Sequence, residues 1–166
     1  MGRDTQEGSP IVARLLGAGD PAPDFNLPAA PGRNVGLADF AGKKLVLFFY
    51  PKDDTAVCTR EAADFSDMQS RFSRQGVSIL GVSRDPVEKH RKFIAKHGLK
   101  TKLASDEDGA MCEAYGVWGE KTLYGRKYMG IIRTTFLIGE DGLIREVWRN
   151  VRVPGHAEAV LAAAKG

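Results

Sequence analysis

The sequence predicts an α/β domain, a mixed β-sheet with helices on both faces. Three observations predict it. Apolar runs of strand length alternate with amphipathic stretches of helix length. Two of the runs, "KKLVLFFYP" at 43–51 and "VSILGVS" at 77–83, are apolar at nearly every position, as strands covered on both faces are. Asp141-Gly142 stands between two further runs, a strong hairpin signal. Helical crossovers imply parallel neighbours and the hairpin an antiparallel pair, so the sheet is mixed.

The elements follow in order. Residues 1–24 are rich in Gly, Pro and polar groups and read as a loose N-terminal arm. Residues 25–166 read as one domain, since 166 residues is most simply a single core. At that size roughly two thirds of the unfolded surface can be buried without a disulfide or metal. The first strand ends at Pro51, which has no ladder donor. A helix is expected from about Thr55, with Phe65, Met68 and Phe72 at helical spacing and Gly76 as its stop. In "DPVEKHRKFIAKHG", Asp85 is expected as N-cap, Pro86 as first helical residue and Glu88 as the partner in a capping box, with Gly98 at the end. "TKLASD" reads as a short strand, "GAMCEAYGV" as a short helix, "IIRTTFLIGEDGLIREVWRN" as the hairpin and "GHAEAVLAAAK" as a closing helix.

Composition narrows the function. The net charge is +3 and the basic residues are scattered, which is no footprint for nucleic acid or membrane. The opening segment is neither a signal peptide nor a span. Two cysteines, Cys58 and Cys112, are too few for a disulfide framework, and no spacing with His90, His97 or His156 suggests a metal. A reduced, cytoplasmic protein without cofactor or metal is the expectation. His90 and His97, seven apart, read as a solvated or half-packed helix face, and His156 as structural. Trp118 and Tyr124 border a "GVWGEKTLYG" loop and read as packing residues that could wall a pocket. "GAG" at 17–19 does not complete a dinucleotide fingerprint.

Cys58 stands out by position. Most free cysteines are small core residues. This one follows the end of a buried strand at an expected helix start, where unpaired N–H groups and the positive end of the helix dipole favour a thiolate. Thr55 lies one turn earlier, as an N-cap or as a hydroxyl beside the sulfur. Asp53, Asp54 and Glu61 oppose a thiolate there, so a reactive Cys58 needs a cation brought from a distance.

"YPKDDTAVCTRE" resembles the peroxiredoxins, with their Pro-x-x-x-Thr-x-x-Cys signature at Pro51, Thr55 and Cys58. The segments at 49–61, 115–121 ("YGVWGEK") and 130–138 ("GIIRTTFLI") together resemble the peroxiredoxin Q group, also called bacterioferritin comigratory protein. The resemblance implies a thioredoxin-like fold and reduction of hydrogen peroxide and alkyl hydroperoxides through a Cys58 sulfenic acid. It implies Cys58 as peroxidatic cysteine and Thr55 as the hydroxyl contacting thiolate and peroxide. Pro51 would be the pocket's shield, Arg133 the distant cation, and Glu61 the acid that orients it. Where members of the group carry a resolving cysteine, this chain has Ala63, and none stands at 92–96. Cys112 is expected to be a buried small residue, with a resolving role as the lesser reading. The expected reductant is therefore an external thiol such as thioredoxin, acting on a monomer. The alternatives are a redox sensor or holdase that uses Cys58 oxidation, and a two-cysteine enzyme in which Ala63 replaces the resolving cysteine.

Overall fold

The computed structural model describes residues 15–165. In chain order the elements are β1 (Asn26–Leu27), β2 (Ala29–Ala30), β3 (Val35–Gly36), a 3₁₀ turn (Leu37–Phe40), β4 (Lys44–Phe49), α1 (Ala56–Asp67), α2 (Gln69–Arg74), β5 (Val77–Ser83), α3 (Val87–His97), β6 (Lys102–Ser105), α4 (Ala110–Ala114), β7 (Trp118–Leu123), β8 (Arg126–Ile131), β9 (Thr134–Ile138), β10 (Ile144–Arg149) and α5 (His156–Ala164).

Six strands form the central sheet in the order β10-β9-β4-β5-β6-β2. The three inner strands β4, β5 and β6 run parallel, and β9, β10 and β2 are antiparallel to their neighbours. This is the expected mixed sheet. Alternation along β4 divides the core in two. Leu45, Leu47 and Phe49 face a layer with Met111, Cys112, Tyr115 and Phe136. Val46, Phe48 and Tyr50 face the opposite layer, with Cys58, Phe65, Phe72, Phe93 and Val160. So α4 covers one face, while α1, α2, α3 and α5 cover the other. Gly81 of β5 permits one close approach: a Cβ there would lie 2.7 Å from the Phe48 ring and 2.8 Å from Leu103.

Several local expectations differ from the structure. The helix after Thr55 is two helices, parted at Met68, whose φ of −99° and ψ of 3° interrupt the regular turn. Asp85 does not cap α3. Pro86 is the N-cap, without a side-chain bond, because the Asp85 carboxylate is already used by the Asp53 amide and the Ser83 hydroxyl. Residues 118–131, expected to include a loop, form the hairpin β7–β8 with Tyr124 and Gly125 both at positive φ. Of the expected N-terminal arm, residues 1–14 lie outside the described residues. Its remainder is hydrogen-bonded at the hairpin of β9 and β10, with the Gly19 amide donating to Ile144 O at 2.8 Å and Ala22 to Gly142 O at 3.0 Å.

Candidate active site

Strand register assembles the site. Phe49 pairs with Val82 on one side and with Thr134 on the other. One residue further on, the ends of three strands therefore bring Tyr50, Ser83 and Arg133 to the same edge. The chain leaves β4 through Pro51 and enters α1 with Thr55 extended at its N-cap. Cys58 thus falls in the first turn, among amides that lack intrahelical partners. The Arg133 backbone is fixed on the far side, its carbonyl accepting from Val151 N at 3.0 Å.

Cys58 is 1% exposed. Arg133 Nη2 lies 3.2 Å from its Sγ, and Nη1 lies 2.6 Å from Glu61 Oε1. Cys58 and Glu61 are three residues apart on α1, so they share one face of the helix. A single guanidinium spans both. The cation that the local acids required arrives from 75 residues downstream, and the acid that would oppose a thiolate there is paired with the same guanidinium.

The electrostatics agree. Glu61 is 1% exposed. Burial pushes its carboxyl up to about 7, and the attraction of Arg133 only partly offsets this. Its Oε2 is buried without a hydrogen-bond partner. Burial disfavours the Arg133 cation, but Glu61 and then Cys58 outweigh it and hold the guanidinium above its ordinary value. A second cation stands nearby. Lys121 donates to Ile131 O at 2.9 Å. Burial first and Arg133 second lower its ammonium, while attraction to Cys58 works the other way.

Pro51, Lys121, Ile132 and Arg133 share a surface cleft of about 500 Å³. Pro51 also walls a neighbouring cleft of about 560 Å³ with Trp118, Tyr128 and Met129. A small solute therefore has room against Arg133, the residue whose guanidinium meets the sulfur. An apolar hollow of about 330 Å³ around Leu37, Phe40 and Ile138 lies at the other end of β4 and takes no part here.

The remaining expected residues divide. The Thr55 hydroxyl donates to Lys52 O at 3.1 Å, and neither caps α1 nor bonds the sulfur, so its side chain organises the turn. Cys112 lies in the layer on the opposite face of the sheet from Cys58. That arrangement is far from the Cα separation of about 7 Å that a disulfide requires, so the geometry does not offer Cys112 as a resolving cysteine. His90, expected on a solvated or half-packed helix face, is fully buried and 2.6 Å from Asp53 Oδ2. Tyr124 is 95% exposed and walls no part of the Cys58 site. Trp118 lies beneath the Arg84 guanidinium, 4.6 Å away, and lines the neighbouring cleft. Lys121 went unread in the sequence, although it sits in the segment that carried the resemblance. Among the described residues no cluster of His, Cys, Asp and Glu could hold a metal ion, and no helix is long and apolar enough to cross a membrane.

Comparison with known proteins gives this geometry a context. Residues 18–147 match the AhpC/TSA family. Peroxiredoxin Bcp of Xanthomonas campestris is 47% identical over 147 residues, 87% of this chain and 92% of the relative. Peroxiredoxin Bcp of Escherichia coli is 43% identical over 146 residues, 88% and 94% of the two chains. A solved structure of Xanthomonas campestris peroxiredoxin Q superposes with a TM-score of 0.81 at 46% identity, covering 85% of this chain and 89% of that one. A cysteine-to-serine mutant of the Xylella fastidiosa protein gives 0.87 at 39% identity, with coverage of 92% and 98%. With a thioredoxin-like sheet, a cysteine opening the helix after its central strand and relatives at this identity over most of its length, the chain belongs to the AhpC/TSA family of peroxiredoxins and is a thiol-dependent peroxidase.

Proposed function

We propose that Cys58 is the peroxidatic cysteine and that Arg133 serves both its thiolate and the departing oxygen. The observation that carries this is the guanidinium of Arg133 at 3.2 Å from Sγ, with Glu61 on its other nitrogen. The Cys58 thiolate attacks one oxygen of a hydroperoxide. The O–O bond breaks, the sulfur becomes a sulfenic acid, and the other oxygen leaves as water or an alcohol after taking a proton.

Magnitudes decide what Arg133 is for. A thiol of ordinary pKa near 8.5 is about 3% ionised at neutral pH, so complete ionisation gains only about thirtyfold, or roughly 2 kcal/mol. A more acidic thiol is also intrinsically less nucleophilic. Stabilising the charge that develops on the departing oxygen is the larger contribution, typically about 3 kcal/mol per donor. Arg133, reaching both the sulfur and the cleft, suits that role. Pro51 walls the approach, and Thr55 holds the turn through Lys52 O.

Hydrogen peroxide and alkyl hydroperoxides are the substrates in this reading. The cleft is large enough for more than hydrogen peroxide, and a related Xanthomonas structure is described in terms of alkyl peroxide reduction. The reductant is an external thiol such as thioredoxin. Ala63 offers no sulfur on α1, α3 carries no cysteine, and Cys112 lies across the sheet. Mass spectrometry after one equivalent of hydrogen peroxide tests this. The expected product carries one added oxygen on Cys58 and is returned to the starting mass by thiol, over many cycles. A monomer that loses two hydrogens through a Cys58–Cys112 bond would refute external resolution. A protein that oxidises once and does not turn over with any thiol would fit the sensor reading instead.

A further inference from the structure

The turn between β4 and α1 is gripped by a polar network that the peroxide chemistry leaves unused. Asp53, five residues before the cysteine, is 2% exposed. Its Oδ1 accepts from the Tyr50 hydroxyl at 2.6 Å, and its Oδ2 lies 2.6 Å from His90 Nδ1. Its amide donates to Asp85 Oδ2 at 2.7 Å. Asp85 in turn accepts from the Ser83 hydroxyl at 2.8 Å and pairs with Lys89 at 3.3 Å. His90 is fully buried, and its Nε2 lies 3.0 Å from Ala104 O. A carbonyl can only accept, so Nε2 carries its hydrogen. The short contact between Nδ1 and Oδ2 then holds one further proton, and the pair is neutral whichever of the two atoms keeps it. Tyr50 remains a donor, because burial and then the Asp53 charge hold its hydroxyl well above the usual range.

The neighbouring acid is treated in the same way. Asp54 adopts a positive φ of 61° and meets Lys96 and His97, each at 2.8 Å. Both partners lie on α3, as His90 does. Each of the three acids near Cys58 therefore meets a cationic or proton-sharing partner from another element: Asp53 with His90, Asp54 with Lys96 and His97, and Glu61 with Arg133.

We propose that His90 is a positioning residue for the peroxidase site: it fixes the Pro51–Thr55 turn through Asp53 and cancels a buried negative charge in the turn that leads to Cys58. This rests on Cys58 as the reacting thiol, and the experiment separates the two ideas. If Cys58 were not that thiol, Cys58→Ser would leave turnover intact. The His90 proposal is judged from differences among variants that keep Cys58.

His90→Gln leaves Asp53 buried without its proton-sharing partner. The thiolate titration of Cys58, followed by absorbance at 240 nm, is expected to move up on the order of one pH unit, the size one unpaired charge gives in a partly dry layer. The peroxide step at pH 7 should slow only by the thiolate fraction that this shift removes, at most about tenfold. Adding Asp53→Asn to His90→Gln removes the leftover charge and should return both readings to within about threefold of the parent. A purely structural pair would lower the melting temperature but leave the titration and the rate per folded molecule unchanged, and that result overturns the proposal. So does a double variant that stays as slow as the single one. Should His90→Gln fail to fold, Tyr50→Phe keeps the buried ring and removes only the hydroxyl donor to Asp53. The same changes at smaller size are expected from it, and an unaltered titration and rate would refute the positioning role.

Discussion

Cys58 and Cys112 are alike in most respects that a sequence or a burial profile reports. Each is a free thiol opening a helix that packs on the central sheet, at 1% and 0% exposure. They differ in the charge that each sulfur meets. Cys58 faces a guanidinium supplied by the far end of the chain. Cys112 faces Asp106, whose carboxylate also binds the Met111 and Cys112 amides at 3.1 and 2.7 Å. Burial and then Asp106 push the Cys112 thiol far above the usual range. Burial raises any thiol, so what separates a reactive from an inert cysteine is whether an opposite charge accompanies it inside.

The sharpest way to break this comparison is to remove each sulfur in turn. Cys58→Ser is expected to reduce thiol-dependent peroxide turnover to background. Cys112→Ser should leave it within about twofold and cost stability instead, since a hydroxyl replaces a packed sulfur in a dry layer. A coupled assay and a thermal melt on both variants read this directly. Equal losses of turnover would erase the distinction.

Next in size is the cation. Arg133→Met keeps most of the apolar stem and deletes the charge. The second-order rate with hydrogen peroxide should fall a hundredfold or more, the loss of about 3 kcal/mol typical of a donor to a developing anion. The thiolate fraction, measured in parallel, explains at most about thirtyfold. Stopped-flow rates that merely tracked the thiolate fraction would reduce Arg133 to a counter-ion.

How much of this contrast the residues alone disclose depends on range. The strand at 43–51 and the helix after it follow from local pattern, so the position of Cys58 at their junction was legible. Periodicity cannot show which residue meets it from 75 positions away. Arg133, and the role of Glu61 in orienting it, entered through family resemblance, and strand register explains how Arg133 reaches this edge. His90 was misread, although a signal was present: Phe93 lies three residues on and is buried, which turns that side of α3 inward. The β7–β8 hairpin was missed because its turn uses Tyr124 and Gly125, where Asn or Asp is the usual first residue. Thr55 stands at the N-cap of α1, as expected, but its hydroxyl donates to Lys52 O rather than to a helix amide.

The smallest effects sharpen the comparison through pH. Glu61 has its carboxyl raised from 4.5 to about 7. Between those values the folded chain holds a proton that the unfolded chain has released. The contribution of Glu61 to stability therefore falls as pH rises through that window, by about 3 kcal/mol at most. His156 is the reverse case. It bonds Thr135 Oγ1 at 2.8 Å, and burial and then Arg133 lower its imidazole from 6.5 to about 4. Between 4 and 6.5 the unfolded chain holds the extra proton, so the His156 contribution is present above that window and is lost as pH falls through it. The two slopes oppose each other where the windows overlap, from 4.5 to 6.5. Glu61→Gln should leave a chain whose stability rises more steeply with pH over that range, and His156→Gln one whose stability falls with pH. Urea denaturation at half-unit steps measures both slopes, and a Glu61→Gln profile parallel to that of the parent would show that the carboxylate beside Arg133 is not the strained group its burial implies.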